Sequence, residues 1–182
     1  EFHNKLKSIL GKFLIVADKV TLIDRHVPRT IIKDKEIHRA KVSETCKCID
    51  KISKVSEFYG AYEGIKIMQR RHKLSKNVTD EDIKSMLEKF FKKCLANSRI
   101  VVKDTSRNFP AWDFLHAYRG ILINVNQIYA FFLDTKPGIS FAYQPRSPVK
   151  LEIMDEAKVA DLLSNWEKYI KKAPNFHVFQ KL

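Results

Sequence analysis

From Pro110 to Leu133 the chain carries a periodic apolar segment whose uncharged part runs from Gly120 to Leu133, and that segment constrains the fold more than any other feature. Trp112, Leu115, Tyr118, Leu122, Val125, Tyr129 and Phe132 recur at helical spacing. Ile121, Ile128 and Phe131 fill most of the remaining circumference. Pro110 suits a first helical position, where its missing N–H costs nothing. The pattern predicts a helix near 111–133, stopped by Asp134-Thr135-Lys136-Pro137-Gly138. A helix apolar on nearly every side belongs at the centre of a bundle. Asn124, Asn126 and Gln127 interrupt the run, so it is not a transmembrane span. Those amides read in two ways: as polar contacts inside a ligand cavity, or as hydrogen-bonded amides of the core or of a helix edge facing a partner.

The other periodic segments predict four more helices. Leu6, Ile9, Leu10, Phe13 and Ala17 mark one near 4–19. Asp34 caps a second, near 34–59, carried by Cys48, Ile49, Ile52, Val55 and Tyr59. Continued to His72 it would run about 58 Å. A break near 60–64 is therefore expected, where Gly60 and Gly64 weaken the helix. Thr79 caps a third helix near 80–97, with Asp82 answering it in a capping box and Lys89, Lys92 and Lys93 toward its negative end. Asp155 caps the last, near 155–172. Residues 99–103 read as a short strand or as a fraying helix end, and 139–143 as a second extended piece with which it could pair. The fold expectation is mainly α: residues 1–182 as a single compact bundle of about five helices.

Charge narrows the function. The chain of 182 residues has a net charge of +13, which favours acidic partners and says nothing about fold. Residues 66–107 hold 12 Lys and Arg against 5 acids, an excess of +7. Within them Arg70, Arg71, Lys73, Lys76, Lys89, Lys92 and Lys93 are the candidate polyanion-binding residues. Guanidinium forks suit phosphate oxygens, and such contacts supply affinity without base readout. The bland alternative is a solvated surface with a lysine bias.

Motifs of enzymes are missing: the chain has no G-x-G-x-x-G, P-loop, G-x-S-x-G or H-E-x-x-H pattern. Asp113, His116 and Arg119 form the best local constellation, with His116 as a base oriented by Asp113. No nucleophile or second acid accompanies them, so an interhelical hydrogen-bond cluster or a solvated edge is the simpler reading. Cys46, Cys48 and Cys94 lack zinc spacing and are expected as thiols, with one disulfide from Cys94 as the alternative. No metal or cofactor is expected.

These features point to a non-enzymatic basic module that binds an acidic partner, with nucleic acid first among the candidates and a protein partner open. The alternative is a secreted or membrane-surface helical protein that binds anionic lipid, glycan or an extracellular protein. Glu1 in place of Met and the sequon Asn77-Val78-Thr79 admit a mature secreted chain, while an intracellular location is slightly favoured.

Overall fold

A computed structural model describes residues 17–25, 47, 56–72, 74–95, 97–134 and 151–180. It overturns the helical bundle. The described chain forms a seven-stranded mixed sheet with helices on both faces, an α/β fold. The strands are β1 (Lys19–Ile23), β2 (Ser56–Tyr62), β3 (Arg99–Asp104), β4 (Gly120–Val125), β5 (Ile128–Asp134), β6 (Leu151–Ile153) and β7 (Asn175–Gln180). Their order across the sheet is β6-β5-β4-β1-β2-β3-β7. The centre is parallel, with β1 on β2 and β2 on β3. β4, β5 and β6 add antiparallel strands on one side, and β7 closes the other against β3. Helices α1 (Ile65–His72), α2 (Asp80–Cys94), α3 (Phe109–Ala117) and α4 (Glu156–Asn165) pack against the sheet.

The expected central helix is the main correction. Only its start is helical, as α3, where the Asn108 side chain accepts from Ala111 N and Pro110 sits in the first turn. From Gly120 onward the chain becomes the β4–β5 hairpin. Asn126 and Gln127 form its two-residue turn with φ of 50° and 66°. Two positive φ values give the backbone twist that matches a right-twisted strand pair. Asp18 Oδ2 accepts from Asn126 N at 2.7 Å, and Asn124 Oδ1 accepts from Gln127 N at 3.0 Å, which holds the turn. The run reads as continuously apolar because both faces of these strands are covered. Ile121 and Ile123 face one core, Leu122 and Phe131 the other.

The remaining expectations divide. The third helix is present as α2, with Thr79 and Asp82 exchanging both capping-box hydrogen bonds. The strand reading of 99–103 holds in β3, but its partners are β2 and β7; residues 139–143 lie outside the described residues. The helix expected near 4–19 falls mostly on residues outside the description, and Lys19 already opens β1. Of the 34–59 helix only Lys47 (helical) and residues 56–59 are described, and the latter lie in β2. The break expected near 60–64 is not a break within a helix: Gly60 lies in β2, and Gly64, at φ +106°, links that strand to α1. The last helix begins on its Asp155 cap as α4 and passes into a π-helical turn, Trp166–Ile170.

Period-2 alternation sorts the strand side chains into two cores. Val20, Leu22, Phe58, Ile100 and Val102 face α1 and α2, meeting Met68, Ile83, Leu87 and Phe91. Ile23, Ala61, Leu122 and Phe131 face α3 and α4, meeting Phe114, Leu115, Leu162 and Ile170. Phe176 and Phe179 of β7 extend the first core. On α2, Glu88 pairs with His177 of β7 at 2.9 Å.

Candidate functional site

The predicted basic residues separate into two groups. Arg70 is exposed on α1, and Arg71 lies in the same helix with its side chain outside the described residues. Lys73 also lies outside them. Lys76 is exposed in the α1–α2 loop, where Gln69 Nε2 donates to its carbonyl at 3.4 Å. The acids Asp80, Glu81 and Asp82 follow at the head of α2. Lys89, Lys92 and Lys93 sit toward its far end, about 14–20 Å along the axis from Asp80 at 1.5 Å per residue. Their spacing of three and four places them side by side on the exposed side of α2, opposite buried Ile83, Leu87 and Cys94. None of these three lysines makes an ion pair among the described residues. The C-terminal turn of a helix favours cations, which accounts for part of this placement.

The Asp113, His116 and Arg119 constellation lies beside the carboxyl ends of β1 and β2. Asp113 and His116 are exposed on α3, and Arg119 follows it. The His116 ring stacks on Trp112 at 5.0 Å, and Trp112 Nε1 donates to Glu63 Oε1 at 3.4 Å. Arg25 stands 4.0 Å from the same carboxylate oxygen. Partial burial lowers the His116 pKa, helped by the charges of Arg25 and Arg119 and opposed by Asp113 and Glu63. The imidazole is thus neutral at pH 7, set among charges of both signs.

A third feature joins residues that lie far apart in the sequence. On the face covered by α3 and α4, a cleft of about 320 Å³ opens over the sheet. Its floor is Lys19 and Thr21 of β1, Tyr59 of β2, Leu122 and Asn124 of β4, and Tyr129 of β5. Its wall is Leu163 of α4 with Trp166 and Glu167 of the π-helical turn. Register assembles the floor: Thr21 pairs with Leu122 across β1 and β4, and Asn124 pairs with Tyr129 across β4 and β5. Tyr59 and Trp166 meet edge to face at 4.6 Å.

Glu57 anchors this floor. It lies on the same face of β2 as Tyr59, with its side chain 11% exposed. It accepts the Tyr59 hydroxyl at 2.8 Å, forms an ion pair with Lys19, and stands 3.6 Å from Arg99. Burial alone would raise its pKa. The hydrogen bonds from Lys19 and Tyr59 and the charges of Lys19 and Arg99 outweigh that and hold the carboxyl below its ordinary value. Burial and the Glu57 hydrogen bond push the Tyr59 phenol up, so it stays protonated and donates. Of the interrupting amides, Asn124 does line a cavity, whereas Asn126 and Gln127 make the turn. The signal that could have found this floor is the alternation in Lys19-Val20-Thr21-Leu22 and Glu57-Phe58-Tyr59, polar on one face and apolar on the other.

No family model, curated protein or solved structure matches this chain. No described helix is long and apolar enough to cross a membrane.

Proposed function

We propose that the domain is a binding module for an acidic partner, nucleic acid backbone first among them, and that the lysine face of α2 makes the contact. The observation that carries this reading is the row of Lys89, Lys92 and Lys93, exposed together and without ion pairs among the described residues. The +13 net charge adds long-range attraction for a polyanion. Arg70 of α1 and Lys76 of the α1–α2 loop are exposed as well, and Lys76 precedes the first residue of α2 by four positions.

Three lysine–phosphate contacts give a salt slope of about −2.7 in log K against log salt. Raising salt from about 50 to about 200 mM should then weaken binding about 40-fold. The test is a fluorescence-anisotropy titration of labelled single-stranded RNA and duplex DNA at both salts. The wild-type chain is compared with the Lys89→Glu, Lys92→Glu, Lys93→Glu triple variant and with an Arg70→Glu, Lys76→Glu pair. The triple variant should lose binding and flatten the slope. Absence of binding at low salt, or a triple variant that binds with the wild-type slope, would refute the proposal. Binding to heparin or phosphatidylserine vesicles but not to nucleic acid would refute its nucleic-acid part.

A further inference from the structure

We infer that the cleft between the sheet and the π-helical turn is a binding site for one small, neutral, planar heterocycle with a hydrogen-bonding edge, of the nucleobase or nucleoside class. The site lies on the face covered by α3 and α4, opposite to α2, so the inference does not rest on the lysine face.

Three observations converge on it. The first is size: about 320 Å³ falls at the lower end of ligand pockets, which run from about 300 to 1,000 Å³. The second is the wall. One turn is π-helical, closed by Lys171 N donating to Trp166 O at 2.9 Å, and Trp166 and Glu167 of this turn border the cleft. Single π-turns in a helix occur frequently at functional sites. The third is the placement of polar groups. The neighbouring part of this sheet face packs a dry core of Ile23, Ala61 and Phe131, yet Thr21 and Asn124 interrupt it at the cleft.

Charge and shape then choose the ligand. Both charged lining residues already hold a counter-ion: Lys19 has Glu57, and Glu167 has Lys171 at 3.2 Å. A charged ligand would compete with those pairs, so a neutral one is favoured. Tyr129 and Trp166 offer ring surface, and Leu122 and Leu163 offer apolar contact. A free sugar carries a hydroxyl on nearly every carbon and would leave some against the two leucines, where an unpaired polar group is penalised, whereas a nucleoside can bury its base and leave its ribose in the open mouth of the cleft. A planar heterocycle has two apolar faces for the rings and leucines, and an edge for Thr21 and Asn124.

The experiment is saturation-transfer NMR on the intact chain with each of the four ribonucleosides, and with glucose as the contrasting neutral ligand. A second readout uses Trp112→Phe, which leaves Trp166 as the sole tryptophan, so fluorescence quenching reports the cleft directly. At least one nucleoside should bind saturably with Kd of about 0.1 mM, the level expected of a ligand with about 20 non-hydrogen atoms. Tyr129→Ala, at a residue 37% exposed, should weaken it about tenfold or more with the melting temperature unchanged. Thr21→Val, which keeps the shape and removes the hydroxyl, should weaken it too. No saturable signal up to about 10 mM for any nucleoside would overturn the inference. So would preference for glucose, or a Tyr129→Ala variant with wild-type affinity. Oligonucleotide binding without nucleoside binding would remove this inference and leave the lysine face standing; the reverse result would do the opposite.

Discussion

Replacing Glu57 by Gln removes the negative charge that holds Lys19 and Tyr59 of the cleft floor and keeps the side-chain shape. The Arg99 guanidinium is 3.6 Å away, which at an effective dielectric of about 20 corresponds to about 5 kcal/mol of attraction. The Lys19 ammonium is closer still. Desolvation of the carboxylate offsets much of this, since burying an ion costs several kcal/mol. Removing one member of a buried pair typically costs about 3–5 kcal/mol. Here Lys19 and Arg99 are 43% and 37% exposed, so water can take up their charges once Glu57 is neutral. The expected loss is therefore about 1–3 kcal/mol at pH 7, or about 3–10 °C in Tm for a chain of this length. Urea denaturation followed by circular dichroism measures it. The pH dependence fixes the cause. The folded carboxyl titrates below its ordinary 4.5, so its contribution is complete above that value and is lost as pH falls through the lower folded pKa. The gap between wild type and Glu57→Gln should stay constant from about pH 7 to 5 and close below about pH 4.5. Equal stability at pH 7, or a gap that widens in acid, would show that the ion cluster does not stabilise the fold as reasoned.

Two other substitutions test the hairpin that replaced the expected helix. Gly120→Ala would place a methyl group 2.2 Å from the Phe132 carbonyl oxygen and 2.7 Å from the Phe131 ring, so β4 and β5 must part. A loss of about 3 kcal/mol or more is expected in chemical denaturation, and a loss under about 1 kcal/mol would mean the strands are not held this close. Gln127→Gly removes the cost of φ +66° at a side-chain-bearing residue, and its backbone N–H to Asn124 is kept. Stability should rise by up to about 1 kcal/mol, and a decrease would contradict the turn geometry.

Legibility followed the range of the interactions. The α2 helix was readable because everything that makes it lies within its own 15 residues and one cap: Thr79, three acids, then Ile83, Leu87 and Phe91 at helical spacing. The β4–β5 hairpin was not, because strands covered on both faces lose the polar–apolar alternation that betrays a strand. Their continuous apolar run then imitates a buried helix. Its turn uses Asn-Gln rather than the stronger Asn-Gly signal, so the punctuation was faint as well. The lysines of α2 were found as residues, but the sequence merged them with Arg70 and Lys76, which the helix axis holds well apart. The cleft was least legible of all. Its floor joins Lys19, Tyr59, Asn124 and Tyr129, and only strand register brings those positions together.

The antiparallel closure of β3 by β7 has a consequence for biosynthesis. Residues 99–104 leave the ribosome well before their partners at 175–180, and at about 5–20 residues per second the interval is about 4–15 s. Throughout that time Ile100, Val101 and Val102 sit on a strand whose outer backbone hydrogen bonds have no partner from β7. A nascent chain paused before Asn175 therefore exposes a sticky parallel edge, the surface that chaperones cover and that other chains can capture.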